Sequence, residues 1–370
     1  MVQRGEDTPG KDTAPKSDAL SHVLIVRFSA MGDVAMTVPV VYDVCRAYPH
    51  IHFTMLTKAS MRGIFVNPPS NLTVRAEDLS QYEGPQGMWR LYRSINSERR
   101  IDAVADLHDV LRSRMLRLIA GMHGARVAHI DKGRAAKHRL TRHRRKVMVP
   151  LPTSSQRYHT VMELLGLPAQ ATFNSIFGNE HAPAQLYAAV TAPKPEGAVW
   201  VGIAPFAAHE GKIYPPEQMF RVAEQLHGKG LRLFFFGGGE KERVILSQWV
   251  ERLPGSTSLA EKRYGFAAEL ALQSHLDAMV TMDSGNMHLA SLVGVPTVTV
   301  WGATHPYCGF TAKGQRPELT IQTDLPCRPC SVFGNTPCRF GDYRCLASIA
   351  PSTIVERVLS LLPNHTSPSR

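Results

Sequence analysis

The chain has 370 residues, 44% hydrophobic and 20% charged, a balance normal for a soluble globular protein and long enough for two domains. No apolar run approaches the length of a bilayer span, and Met1 to Leu20 is polar with no apolar signal core, which excludes a membrane-spanning or signal-led reading. These features predict a cytoplasmic protein with a disordered leader over residues 1–20. The 42 Lys and Arg against 31 Asp and Glu give a formal charge of +11, which favours anionic partners: nucleic acid, phosphorylated sugars or an acidic membrane surface.

The first predicted element is the continuous apolar run His22 to Arg27, suited to a strand buried on both faces. Phe28 to Asp33 turns the chain into a helix through Val34, Val38, Val41, Val44 and Cys45. A strand over Ile51 to Leu56, a helix near Trp89, Leu91, Tyr92 and Ile95, a strand over Ile101 to Leu107 and a helix through Leu111, Met115, Leu116 and Ile119 follow. Strands alternating with helices imply a parallel sheet covered on both faces.

Residues 126 to 146 interrupt the pattern with Arg126, Lys132, Arg134, Lys137, Arg139, Arg142, Arg144, Arg145 and Lys146 against the single acid Asp131. With no apolar stripe between Ala136 and Lys146, this reads as a basic loop, either a solvated surface or an anion contact. From about 166 to 197 the chain is rich in Pro, Ala and Gly and reads as a linker.

The alternation then restarts. Strands are predicted at Val199 to Ala204, Leu231 to Phe236, Asp277 to Met282 and Thr297 to Trp301, and helices at Pro216 to Leu226, Lys241 to Leu253 and Ala267 to Ser274. Pro351 opens a last helix whose stripe is Ile354, Val355, Val358, Leu359 and Leu362. The chain therefore divides into domains at 21–185 and 186–350, with 351–370 packing back toward the first domain and ending in a tail.

In open α/β sheets ligands bind at the carboxyl ends of strands, so Ser29 to Asp33, Phe206 to Lys212, Gly237 to Glu242 and Asp283 to His288 are the turns that carry chemistry. The last of these places polar groups at a helix start. Asp283 is expected to cap it, Ser284 and Gly285 leave backbone N–H groups open to an anion, and His288 reaches the same anion as donor or cation. Gly237-Gly238-Gly239 lacks the dinucleotide spacing, and Gly211-Lys212-Ile213 lacks the phosphate-loop pattern, which argues against a nicotinamide enzyme and a nucleoside triphosphatase. A binder of nucleotide diphosphates on two domains remains.

Arg27 to Asp33 after a first strand, with Asp283-Ser284-Gly285-Asn286-Met287-His288-Leu289-Ala290 and Gly294-Val295-Pro296-Thr297, resembles the ADP-heptose:lipopolysaccharide heptosyltransferases, glycosyltransferase family 9. The resemblance runs from about His22 to Leu362 and implies a GT-B fold, two Rossmann-like doubly wound α/β domains facing across a cleft. It implies metal-independent, inverting transfer of a sugar, heptose from ADP-heptose, to a lipopolysaccharide core or related glycolipid, with no cofactor required.

Residue by residue, the resemblance makes Asp33 the general base and Lys212 the lysine at the donor phosphates. Glu240 lies near the nucleoside, and Tyr264, Asp283, Ser284, Gly285 and His288 join the donor side. Ser29, Met31 and Gly32, with Lys132, Arg134, Arg142, Arg144 and Arg145 of the basic stretch, are assigned to the acceptor, and the same stretch would meet the cytoplasmic face of the inner membrane. Ala207 and Ala208 stand where several family members carry hydroxyl residues, a departure that motivates the alternative of a catalytically silent nucleotide- or glycan-binding protein. No nucleic-acid partner is expected, because no aromatic residues interleave the charges.

Cys327, Cys330, Cys338 and Cys345 fall in one short segment. They are enough for a tetrahedral zinc site, but only the first pair has knuckle spacing; reduced buried thiols are the reading favoured over a structural zinc, and no catalytic metal is expected.

Overall fold

The computed structural model describes residues 20–362, so the leader and the tail beyond 362 lie outside the described residues, except that Leu20 is buried in the core. The first sheet comprises β1 (His22–Val26), β2 (His52–Lys58), β3 (Leu72–Glu77), β4 (Ala103–Asp106) and β5 (Arg126–His129). Its order is β3-β2-β1-β4-β5. Every pairing is parallel, with His22 opposite His52 and Val23 opposite Ala103. Helices α1 (Met31–Ala47), α2 (Gly84–Glu98), α3 (Leu111–Met122), α4 (Arg134–Thr141) and α5 (Ser154–Leu164) accompany it.

The second sheet comprises β6 (Trp200–Ala204), β7 (Arg232–Phe235), β8 (Thr257–Ser258), β9 (Ala278–Met282), β10 (Thr297–Trp301) and β11 (Thr320–Gln322). Its order is β11-β10-β9-β6-β7-β8, again parallel throughout. Helices α6 (Pro216–His227), α7 (Glu240–Arg252), α8 (Phe266–Gln273), α9 (Gly285–Leu292), α10 (Arg344–Ala347) and α11 (Pro351–Leu359) complete the chain. Every residue of β1, β4, β6, β9 and β10 is buried, the result expected of apolar strands covered on both faces.

The sheets meet through helices. α1, which follows β1, packs along α9, which follows β9, and buried residues of both sheets join in one cluster. Here the structure corrects three expectations. The basic stretch is a loop only over 130–133 and 142–146; the rest forms β5 and α4, to each of which Ala128 and Leu140 supply one buried residue. The expected linker is packed: Phe173, Ile176, Ala182 and Tyr187 are buried in that cluster, and the Ala182 N–H donates to Ser274 Oγ at 3.0 Å. The last helix does not turn to the first domain; Ile354, Val355 and Val358 bury against α6, β9 and β10 of the second.

Candidate active site

Arg27 follows directly on β1, and Asp33 stands in the first turn of α1. Arg27 Nη2 lies 2.5 Å from Asp33 Oδ2, while Nη1 donates to the Leu107 carbonyl at 2.7 Å. The guanidinium is buried and thus fixes the carboxylate, whose side chain keeps 29% exposure. Ala30 caps α1 without a side-chain hydrogen bond, so the N–H groups at this helix start remain available.

Asp33 faces a cavity of about 510 Å³. Ser29, Lys132 and Arg134, three of the residues assigned to the acceptor, line it together with Arg27, His108, Lys137, His138 and Arg157, which no assignment from the sequence covers. Phe310 and Phe333 reach in from the second half of the chain. One carboxylate among five Lys and Arg makes the cavity strongly positive. Burial, with help from Arg27 and Lys132, holds His108 neutral down to about 3, and its Nδ1 accepts from the Phe28 N–H at 3.3 Å. Burial also lowers Lys137 to about 8, its Nζ lying 4.2 Å from the centre of the Phe310 ring.

Arg142, Arg144 and Arg145 do not line this cavity; Arg144 and Arg145 are exposed beyond α4. Lys146 instead donates to the carbonyls of Cys327 and Pro329 across the cleft. A larger opening of about 590 Å³ lies at the starts of β1 and β2, around His22 and His52, away from the strand ends that bear Asp33. Its polar groups are largely satisfied among themselves, as in the His22–Thr54 contact at 2.9 Å.

The second half of the site forms where β9 gives way to α9. Asp283 does not cap the helix: Ser284 is the N-cap residue and makes no side-chain cap bond. The Asp283 carboxylate, 2% exposed, turns inward instead to Lys212 Nζ at 2.9 Å and accepts from Thr304 Oγ1 at 2.7 Å. An ion pair in a buried setting outweighs a local cap. Ser284 Oγ and His288 Nδ1 are buried without hydrogen-bond partners. Burial keeps the His288 imidazole neutral down to about 4 against the opposing pull of Asp283 and Asp33.

The two halves touch. A Cβ on Gly32 would lie 2.8 Å from His288 Cδ2, and one on Gly285 would lie 2.2 Å from Met31 Cε. Met31, Gly32 and Gly285 therefore serve the junction of α1 and α9 rather than the cavity wall. Gly32→Ala is expected to lose about 1–3 kcal/mol by overpacking against His288; removing the ring in Gly32→Ala/His288→Ala should restore part of it in urea unfolding, a non-additivity that independent sites would not show.

Glu240 is exposed at the start of α7, ion-paired with Arg243. Tyr264 is half-buried before α8 and packs on the main core. Glu240 thus follows β7 and Tyr264 stands on the loop after β8, and neither joins the Lys212–Asp283 pair.

The cysteine segment forms a wall of the site. Gly334 lies under the Lys212 stem, where a Cβ would meet Cγ at 2.6 Å, and buried Arg328 donates to the carbonyls of Gly302, Thr304 and Thr323. Cys327, Cys330, Cys338 and Cys345 are free thiols around one void of about 20 Å³. Among the described residues no three or more His, Cys, Asp or Glu side chains are arranged to hold a metal ion.

A sequence model of glycosyltransferase family 9 (heptosyltransferase) matches residues 88–336. Lipopolysaccharide heptosyltransferase 1 of Pseudomonas aeruginosa is 25% identical over 319 residues, 83% of this chain and 85% of the relative. Among solved structures, a glycosyl transferase family 9 protein from Veillonella parvula aligns with a TM-score of 0.69 at 17% identity, covering 92% of this chain and 97% of its own. The E. coli ADP-heptose lipopolysaccharide heptosyltransferase II aligns with a TM-score of 0.66 at 18% identity, covering 92% and 98%. These structures share the GT-B arrangement of two parallel-sheet domains described above.

Proposed function

This chain belongs to glycosyltransferase family 9 and is a glycosyltransferase, and we propose that it moves heptose from ADP-heptose, with inversion and without a metal, onto an anionic sugar of a lipopolysaccharide core. The observation that carries the reading is the meeting of Asp33, at the mouth of a basic cavity, with unpartnered His288 and Ser284 at the start of α9. Its likeness to lipopolysaccharide and ADP-heptose heptosyltransferases supports the donor and the acceptor class. Family membership disfavours the catalytically silent alternative. The enzyme would work in the cytoplasm.

On this reading the acceptor lies in the 510 Å³ cavity. Asp33 takes the proton of its attacking hydroxyl, the oxygen forms a bond to the anomeric carbon, and the bond from that carbon to the diphosphate breaks with its electron pair leaving on the diphosphate. Lys212, Ser284, neutral His288 and the N–H groups of α9 receive the leaving charge. Asp283 acts through Lys212, holding it in place. Glu240, at the start of α7, and Tyr264, on the loop before α8, would flank the nucleoside. The purified protein, given ADP-heptose and other nucleotide sugars with core oligosaccharide acceptors, should release ADP only with ADP-heptose; release from another donor alone overturns the donor assignment, and release unaffected by EDTA is expected.

Lys137 predicts a pH dependence. A lysine that loses its proton near 8 instead of 10.5 is cationic below that pH and neutral above it, so attraction for an anionic acceptor fades as pH rises through about 8. The alkaline limb should appear in kcat/KM for the acceptor, which reports the free enzyme, and Lys137→Arg should flatten it.

A further inference from the structure

The net charge of this chain is confined to one stretch. Residues 111–150 hold twelve of the 42 Lys and Arg and one of the 31 Asp and Glu, leaving thirty basic and thirty acidic residues elsewhere. The whole formal charge of +11 thus resides in α3, β5, α4 and their connections.

The same stretch exposes an apolar stripe. Leu111, Met115, Leu118 and Met122 of α3 recur every three or four residues and share one helix face. Three of the four stand clear of the core, Leu111 being 73% exposed, Leu118 64% and Met122 68%, while Met115 is half-buried against it and Leu116, Ile119 and Ala120 fill the core from the opposite side. The stripe continues onto β5, where Val127 is 48% exposed and its Cγ1 lies 3.8 Å from where a Cβ on Gly121 would stand. Around it α3 carries Arg112, Arg114 and Arg117 and no acid of its own; Arg114 pairs with Asp109 and Arg117 with Asp106 and Asp109, which leaves Arg112 without such a partner among the described residues.

We propose that α3 and β5 form a docking face for a bilayer containing anionic lipid, the stripe entering the boundary between headgroups and chains while the surrounding Arg and Lys meet lipid phosphates. Among the described residues no helix is long and apolar enough to cross a membrane, so the contact is peripheral. A second copy of the chain fits the face poorly, because a symmetric contact opposes two stretches of like charge. Nucleic acid would use the charge but leave the aliphatic stripe unburied, and the stripe gives bases nothing to stack on.

The face adjoins the cavity. Asp109, bonded to Arg114 of α3 at 2.8 Å, also receives Lys132 Nζ on its carbonyl at 3.1 Å, and Lys132 lines the cavity beside Asp33. An acceptor anchored in the same leaflet would meet the cavity at its rim; this last consequence rests on the transferase reading above, whereas the docking itself does not.

Co-sedimentation of the full chain with phosphatidylglycerol–phosphatidylcholine vesicles, against phosphatidylcholine alone, tests the docking without any substrate. Binding is expected to favour the anionic vesicles and to weaken with added salt. Leu111→Ser/Leu118→Ser/Met122→Ser should lower partitioning about tenfold or more, and Arg112→Gln/Arg114→Gln, which removes two cations of α3 itself, should lower the preference for anionic lipid. Far-ultraviolet circular dichroism checks that both variants remain folded, which the exposure of the replaced side chains favours. Equal binding to both vesicle types, or an α3 variant that partitions like the parent, overturns the proposal. So does binding to an RNA duplex but not to vesicles, or a dimer in sedimentation velocity that the α3 variant dissociates.

Discussion

Asp33→Asn is expected to cut the rate of sugar transfer by about 10²- to 10⁴-fold while leaving the affinity for the nucleotide sugar nearly unchanged. The amide keeps the shape of the carboxylate but cannot take a proton from the acceptor hydroxyl. It also removes the charge that faces buried Arg27, whose remaining partner there is the Leu107 carbonyl. Some loss of stability should therefore accompany the loss of rate. Initial rates of ADP release, donor binding by calorimetry and urea unfolding separate the two effects. An Asn variant that transfers at the parent rate removes Asp33 from the role of base.

The second large effect belongs to Lys212. Lys212→Met is expected to slow transfer by about 10²- to 10³-fold, because the leaving diphosphate loses a cation placed beside it. It should also destabilise the fold by about 3–5 kcal/mol, since the Asp283 carboxylate, 2% exposed, would remain buried with Thr304 and no counter-charge. Lys212→Met/Asp283→Asn removes both charges together. The double variant should recover most of the lost stability in urea unfolding and none of the lost activity. Recovery of both would show that Lys212 serves only the packing of the loop.

Elements buried on both sides were legible in the sequence. β1, β6, β9 and β10 are predominantly apolar, with only His22, Thr281, Thr297 and Thr299 polar, and no other arrangement satisfies five successive buried residues so simply. α4 was not legible, because it buries only Leu140 and turns Lys137 and His138 into the cavity. A helix that lines a polar chamber reverses the amphipathic signal on which sequence reading depends. The last helix shows a related limit: its stripe announced a buried face but carried no information about which sheet would cover it.

The site was legible in the same uneven way. Asp33, Lys212 and the Asp283 turn stand at strand ends, where topology places ligand contacts. What Asp283 does there depends on Lys212, seventy-one positions earlier, and no local propensity encodes that partnership. Arg27, His108 and Lys137 were missed as site residues for a similar reason. Each reads as a strand-end or surface polar residue until the chamber wall is assembled around it.

The contact of α1 with α9 has a mechanical consequence. The proposed base stands at the start of one helix and the proposed leaving-group contacts at the start of the other, and Gly32, against the His288 ring, and Gly285, against the Met31 side chain, let those starts come together. A movement of the two sheets that preserves this contact must pivot on it. Such a pivot would widen or narrow the outer rim, through which substrates pass, by many times the change it makes at the fulcrum. Substrate entry and reaction distance would thereby be decoupled, with the rim free to breathe while the gap that the transferred sugar must cross stays constant.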